Sequence, residues 1–206
     1  MTAASLELVA DDALELPHPL GQEVGWWAMA LVCATEGCFF AFLLGSYFYL
    51  AARNTHWPPA QIGPPKLLLP GIMTATLLGS SAVLHFAERA IARGRQGGLR
   101  AGLLVTAVLG LAFLGLQWAE YQEKLQHFTP RTNAYGSSFY ATTGFHGAHV
   151  AFGVLFLLFT LARAAQGHFT AKSHIGIRVA ALYWHFVDGV WLVLFTTLYL
   201  LPHLRA

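Results

Sequence analysis

Five histidine and acidic side chains of this 206-residue sequence fall well inside apolar runs, away from their ends, where a charge is costly and must be paired, neutralised or put to use. They are Glu36, His146, His149, His185 and Asp188. His146 and His149 lie one helical turn apart and so share a face. Two imidazoles so spaced could ligate a metal or a haem, with Glu36 or Asp188 completing the shell. They could equally hydrogen-bond to neighbouring helices. His185 and Asp188 repeat the one-turn spacing; an aspartate favours a protonated ring and fixes its orientation, and either group could bond across to the run holding His146. Glu36 is expected to be protonated or hydrogen-bonded, as a link between helices or in a lipid- or proton-related role. A single polar seam shared by all five is the expectation. Cys33 and Cys38 are five residues apart, a poor helical pairing for a disulfide, and read as small packing residues. No nucleotide-binding loop, Ser-His-Asp set or CxxC pair is present.

The elements that must position these groups are five apolar runs. They cover about residues 24–52, 67–87, 101–119, 139–162 and 179–201 of the sequence, and each is long enough to cross ~30 Å of hydrocarbon as a helix of about 20 residues. The chain is 56% hydrophobic and 11% charged, against about 25% charged in a soluble domain. The expected fold is therefore all-α, an integral membrane bundle of five transmembrane helices in one domain, residues 24–206. An acidic arm, residues 1–23, precedes it with Glu7, Asp11, Asp12, Glu15 and Glu23 and no lysine or arginine; a basic signal-peptide region is not seen. Glycines and alanines within the runs suit close helix packing in lipid. A net charge of +2 is too small to suggest nucleic acid.

Five spans place the chain ends on opposite sides. Arg89, Arg93, Arg95, Arg100, Arg163, Lys172 and Arg178 then share the N-terminal side, and Arg53, Lys66, Lys124, Arg131 and Arg205 the other. The bias puts the N-terminus in the cytoplasm and the C-terminus outside. Glu120 and Glu123 read as a solvated helix end, His85 and Glu88 as interfacial, and Trp26, Trp27, Tyr47 and Tyr49 as interfacial aromatic belts. Trp57-Pro58-Pro59 stiffens the first loop.

In combination and order, several stretches resemble one family closely. They are Thr35-Glu36-Gly37-Cys38-Phe39-Phe40, Leu116-Gln117-Trp118-Ala119-Glu120-Tyr121, Thr143-Gly144-Phe145-His146-Gly147-Ala148-His149-Val150 and Tyr183-Trp184-His185-Phe186-Val187-Asp188. The family is subunit III of the haem–copper respiratory oxidases, most like the cytochrome c oxidase version, and the likeness runs from about Val24 to the C-terminus. It implies a polytopic bacterial inner-membrane subunit without redox centres, packed mainly on oxidase subunit I in a complex with subunit II; haem and copper reside in those partners.

The same resemblance places Glu36 at the family's buried membrane carboxylate. It also implies a phospholipid cleft lined by Glu36, with Arg163 and the following His168 at the lipid phosphate. Trp57 and Glu120 mark the interfacial regions. Two departures stand out: mitochondrial-type members have seven helices, the first two lacking a counterpart here, and Arg178 stands where those members carry an acid. The implied work is to buttress the catalytic subunit, hold lipid and support proton uptake. Alternatives are a subunit III of a quinol oxidase, a nitric-oxide-reductase accessory subunit, or a small metal or proton transporter using the five polar residues as a relay.

Overall fold

The computed structural model describes residues 19–62 and 65–204, with side chains from Val24 onward. Residues 1–18, most of the acidic arm, and Arg205 lie outside the described residues. Five long helices make up the molecule: α1 (Pro19–Arg53), α2 (Leu68–Ala92), α3 (Gln96–Lys124), α4 (Ala134–Ala165) and α5 (Ile175–Phe195). All five are long and apolar enough to cross a membrane. Helix α1 begins on Pro19, whose fixed φ and missing N–H suit a first helical turn. Helix α5 runs on through a π-helical segment, Thr196–Leu200, into a short helix α6 (Leu201–Leu204).

The connections set the order of packing. Only residues 93–95 separate α2 from α3, so the two must lie antiparallel side by side. Gly94 makes that reversal with φ 73°, a left-handed conformation that costs glycine no Cβ clash. Asn133 caps α4, its Oδ1 accepting from Gly136 N at 2.8 Å.

Helices α2, α3, α4 and α5 pack in that cyclic order, and α1 lies outside the ring against α4 and α5. The most apolar stretch of α5 is 44% buried and that of α1 only 11%, which makes α5 the central helix and α1 the peripheral one. At Gly110 of α3 an added Cβ would stand 2.6 Å from the Trp184 ring, which reaches across the core from α5, and 2.6 Å from Val154 of α4. Trp184, fully buried, fills the space that glycine leaves.

Candidate functional site

The polar residues gather in two clusters with an aromatic box between them, instead of one seam. On the α2–α5 contact, Ser81 Oγ lies 2.7 Å from His185 Nδ1 and donates to Asp188 Oδ2. His185 and Asp188 are thus joined through a serine of another helix and not directly. One turn further, Trp191 Nε1 donates to Thr74 Oγ1, and Trp184 Nε1 donates to Ser80 Oγ, both at 2.9 Å. Four side chains of α5 are held by three hydroxyl groups, two of them on adjacent serines. Hydrogen bonds of this kind are worth about 0.6 kcal/mol each between membrane helices, so the seam orients α5 more than it stabilises it. Toward the end of α2, Glu88 Oε2 stands 3.9 Å from His85 Nδ1 and 4.0 Å from His185 Nε2, within ion-pair range but too far for hydrogen bonds.

The second cluster joins α1 to α4. His149 Nδ1 donates to Phe145 O at 2.7 Å, and its Nε2 lies 3.1 Å from Glu36 Oε2. A carbonyl only accepts, so Nδ1 carries a proton. A bond between Nε2 and the carboxyl group then needs a second proton, held by either partner. Both arrangements leave the pair with zero net charge, which is how Glu36 is accommodated mid-span. Glu36→Gln keeps a donor facing Nε2 and is expected to change thermal stability little. Glu36→Ala removes the partner and is expected to cost about 1–3 kcal/mol. Thermal melts of both variants check this; no loss in either would mean the bond contributes nothing, and equal large losses would mean that an amide cannot replace the carboxyl group.

His146, expected to hydrogen-bond to a neighbouring helix, does not. It is 0% exposed, and neither ring nitrogen has a hydrogen-bond partner. Its ring stacks on Trp191 with centroids 5.1 Å apart and meets the edges of Phe113 and Phe40. His146 and His149 differ by three residues, or about 60° around the helix, and that rotation separates an aromatic box from the Glu36 contact. Among the described residues no three His, Cys, Asp or Glu side chains converge as a metal-holding group.

At the other end of α3, Glu120 is 3% exposed and so is no solvated helix end. Tyr199 OH donates to its Oε2 at 3.0 Å, and Lys124 Nζ is 3.5 Å from its Oε1. Lys124 also lies over the rings of Phe139 and Tyr199, 4.7 and 5.3 Å from their centroids. Tyr47 is likewise buried rather than part of an interfacial belt, and its ring packs against Trp57, which also meets Tyr135. Thr74, Ser80, Ser81, Lys124 and Tyr199 are the participants that sequence reasoning passed over. The adjacent serines in an otherwise apolar run were the one available signal.

Five membrane-length helices whose mid-span polar groups are largely turned toward one another define a multi-pass helical membrane protein. The profile of the family "Cytochrome c oxidase subunit III" matches residues 19–202. The cytochrome c oxidase subunit 3 of Synechocystis sp. is 40% identical over 185 residues, covering 89% of this chain and 77% of its own length. The Thermostichus vulcanus protein of that name is 39% identical over 168 residues, 81% of this chain and 82% of its own. That of Mus musculus is 38% identical over 187 residues, 88% and 71% respectively. The chain belongs to the cytochrome c oxidase subunit III family.

Proposed function

We propose that this chain is the non-redox subunit III of a proton-pumping oxidase that passes electrons from cytochrome c to oxygen in a bacterial inner membrane. It packs on subunit I, which with subunit II carries the haem and copper, and it stabilises that catalytic subunit and sustains proton uptake. The observation that supports this reading most is the family match across residues 19–202, which takes in both polar clusters. Purification through a tag on this chain in mild detergent tests it. A haem-bearing complex that consumes oxygen with reduced cytochrome c is the expected product. Recovery of the chain without haem-bearing partners would contradict the assignment, and a complex that oxidises quinol but not cytochrome c would replace the electron donor.

The N-terminus is assigned to the cytoplasm, because seven of the twelve Lys and Arg residues fall on that side of a five-span chain. Reporter fusions after Arg95 and at the C-terminus are then expected on opposite sides, cytoplasmic for the first. Both on one side would refute the five-span topology.

Phospholipid is assigned to the cytoplasmic leaflet at Arg163. This residue is in the last turn of α4, its guanidinium 6.0 Å from the Phe169 ring, and among the described residues it forms no ion pair. His168 Nδ1 donates to the Arg163 carbonyl at 3.3 Å and folds the following link back over the helix end. A guanidinium without a carboxylate at that level suits a phosphate. Glu36 contacts α4 at His149, fourteen residues or about 21 Å along the helix from Arg163. A lipid with its phosphate at Arg163 would therefore run its acyl chains toward Glu36 and not bring its head group there. Arg163→Ala is expected to lower the phospholipid retained by the purified complex, measured by mass spectrometry; unchanged lipid would rule this site out.

A further inference from the structure

A cavity of about 410 Å³ opens where the start of α2, the end of α3 and the start of α4 meet. Tyr135 in its wall is twenty-eight residues, or about 42 Å along α4, from Arg163. The cavity therefore belongs to the opposite leaflet from the Arg163 site. Four charged side chains line it as two pairs. Glu120 and Lys124 are the deeper pair, the lysine side chain only 14% exposed. Lys66 and Glu123 are the exposed pair at the rim, Nζ 2.5 Å from Oε1. His127 is the remaining titratable group in the wall, so acids and cations are nearly balanced.

Lys124 is short of acceptors. An ammonium group carries three N–H donors, and its carboxylate partner, Glu120 Oε1, stands 3.5 Å away, long for a hydrogen bond. The rings of Phe139 and Tyr199 meet it on another side. A cation so buried calls for an anionic oxygen from the cavity. At the rim, the side chains of Lys66 and Glu123 have only each other as hydrogen-bond partners among the described residues. An exposed pair of this kind holds weakly, and a ligand with charges of its own can replace it. The rim also reaches hydrocarbon: Leu68, 79% exposed, begins the membrane-length helix α2.

We propose that this cavity holds the head group of an outer-leaflet phospholipid carrying both a phosphate and a primary ammonium, as phosphatidylethanolamine does. The phosphate takes Lys124 and Lys66, the ammonium takes Glu123, and the acyl chains leave over Leu68. Glu120 keeps the Tyr199 hydroxyl and offsets the charge of Lys124. A choline head group has no N–H to give Glu123. A phosphoglycerol head group brings an anion and no cation, and so leaves Glu123 without a partner. The leaflet rests on the topology proposed above, and the choice of head group on the cavity alone.

Phosphatidylethanolamine and phosphatidylcholine with a diazirine in one acyl chain test this on the complex purified through a tag on the chain. After photolysis, the peptide containing Leu68 is expected to carry at least threefold more of the ethanolamine lipid than of the choline lipid. Glu123→Gln, an exposed change that spares the core, is expected to abolish that preference. Lys124→Met is expected to lower labelling by both lipids threefold or more, and Lys124→Arg to retain it. Equal labelling by the two lipids, or a preference that survives Glu123→Gln, would overturn the proposal. So would displacement of the lipid by equimolar glycerophosphoethanolamine, which would make the occupant a soluble solute, or no labelling by any lipid, which would mean that a partner covers the cavity. Absence of haem from the purified material would count against the oxidase reading alone, since the labelling is read on this chain.

Discussion

Gly110→Leu is expected to disrupt the bundle, while Gly115→Leu, on the same helix, is expected to leave it intact. At position 110 even a methyl group would stand 2.6 Å from both the Trp184 ring and Val154, deep in the contact of α3 with α4 and α5. Trp184 cannot yield, because it is fully buried and its Nε1 is held by Ser80. A leucine there must push the helices apart, which opens voids along their length. Overpacking of this kind costs about 1–3 kcal/mol or more. In a chain of this size that lowers the melting temperature by roughly 2–4 °C per kcal/mol, so a loss on the order of 10 °C, or failure to assemble, is expected. Gly115 has nothing within 4 Å of an added Cβ. Replacing it removes a poor helix former at no packing cost. Thermal melts of the two variants in detergent decide the matter; equal effects would mean that Gly110 is not the tightly packed position described.

The contrast between these glycines marks the limit of what the sequence discloses. Both sit in one apolar run, and no spacing rule separates them. The five helices were legible because each apolar run is long enough to span a bilayer. The helices extend past those runs because polar residues such as Gln96 and Lys124 still satisfy the helical pattern outside the hydrocarbon. Glu120 was misread as solvated because its cover comes from Tyr199, 79 residues on, presented by a π-helical turn. Ser81 was not singled out because it joins His185 and Asp188 only once α2 and α5 meet, 104 and 107 residues apart in the chain. The seam expected from five ionisable residues divides because helix rotation, not spacing along the chain, decides which neighbour each one meets. The resemblance was legible for another reason: its motifs coincide with the residues that make these contacts, and a run of such motifs in one order does not depend on knowing the packing.

The largest functional effect is expected from removing the chain from the complex. No haem or copper ligand is assigned to it, so the metal centres should keep their spectra. Initial turnover should slow at neutral to high pH, where protons are scarce and a protein surface beside the uptake entrance helps to gather them. The catalytic subunit would also lose the packing of this chain and any phospholipid bound with it. Losing only about 1 kcal/mol of stabilisation shifts a folding equilibrium roughly fivefold. The depleted complex should therefore inactivate during sustained turnover several-fold faster than the intact one.

Steady-state oxygen consumption by intact and depleted complex, followed over many turnovers alongside the visible spectrum, tests the supporting role most directly. The expected result is unchanged haem and copper spectra with a slower initial rate above neutral pH and a shortened active lifetime, both restored on adding the chain back. An unaltered rate and lifetime, or the loss of a metal centre together with the chain, would contradict the account.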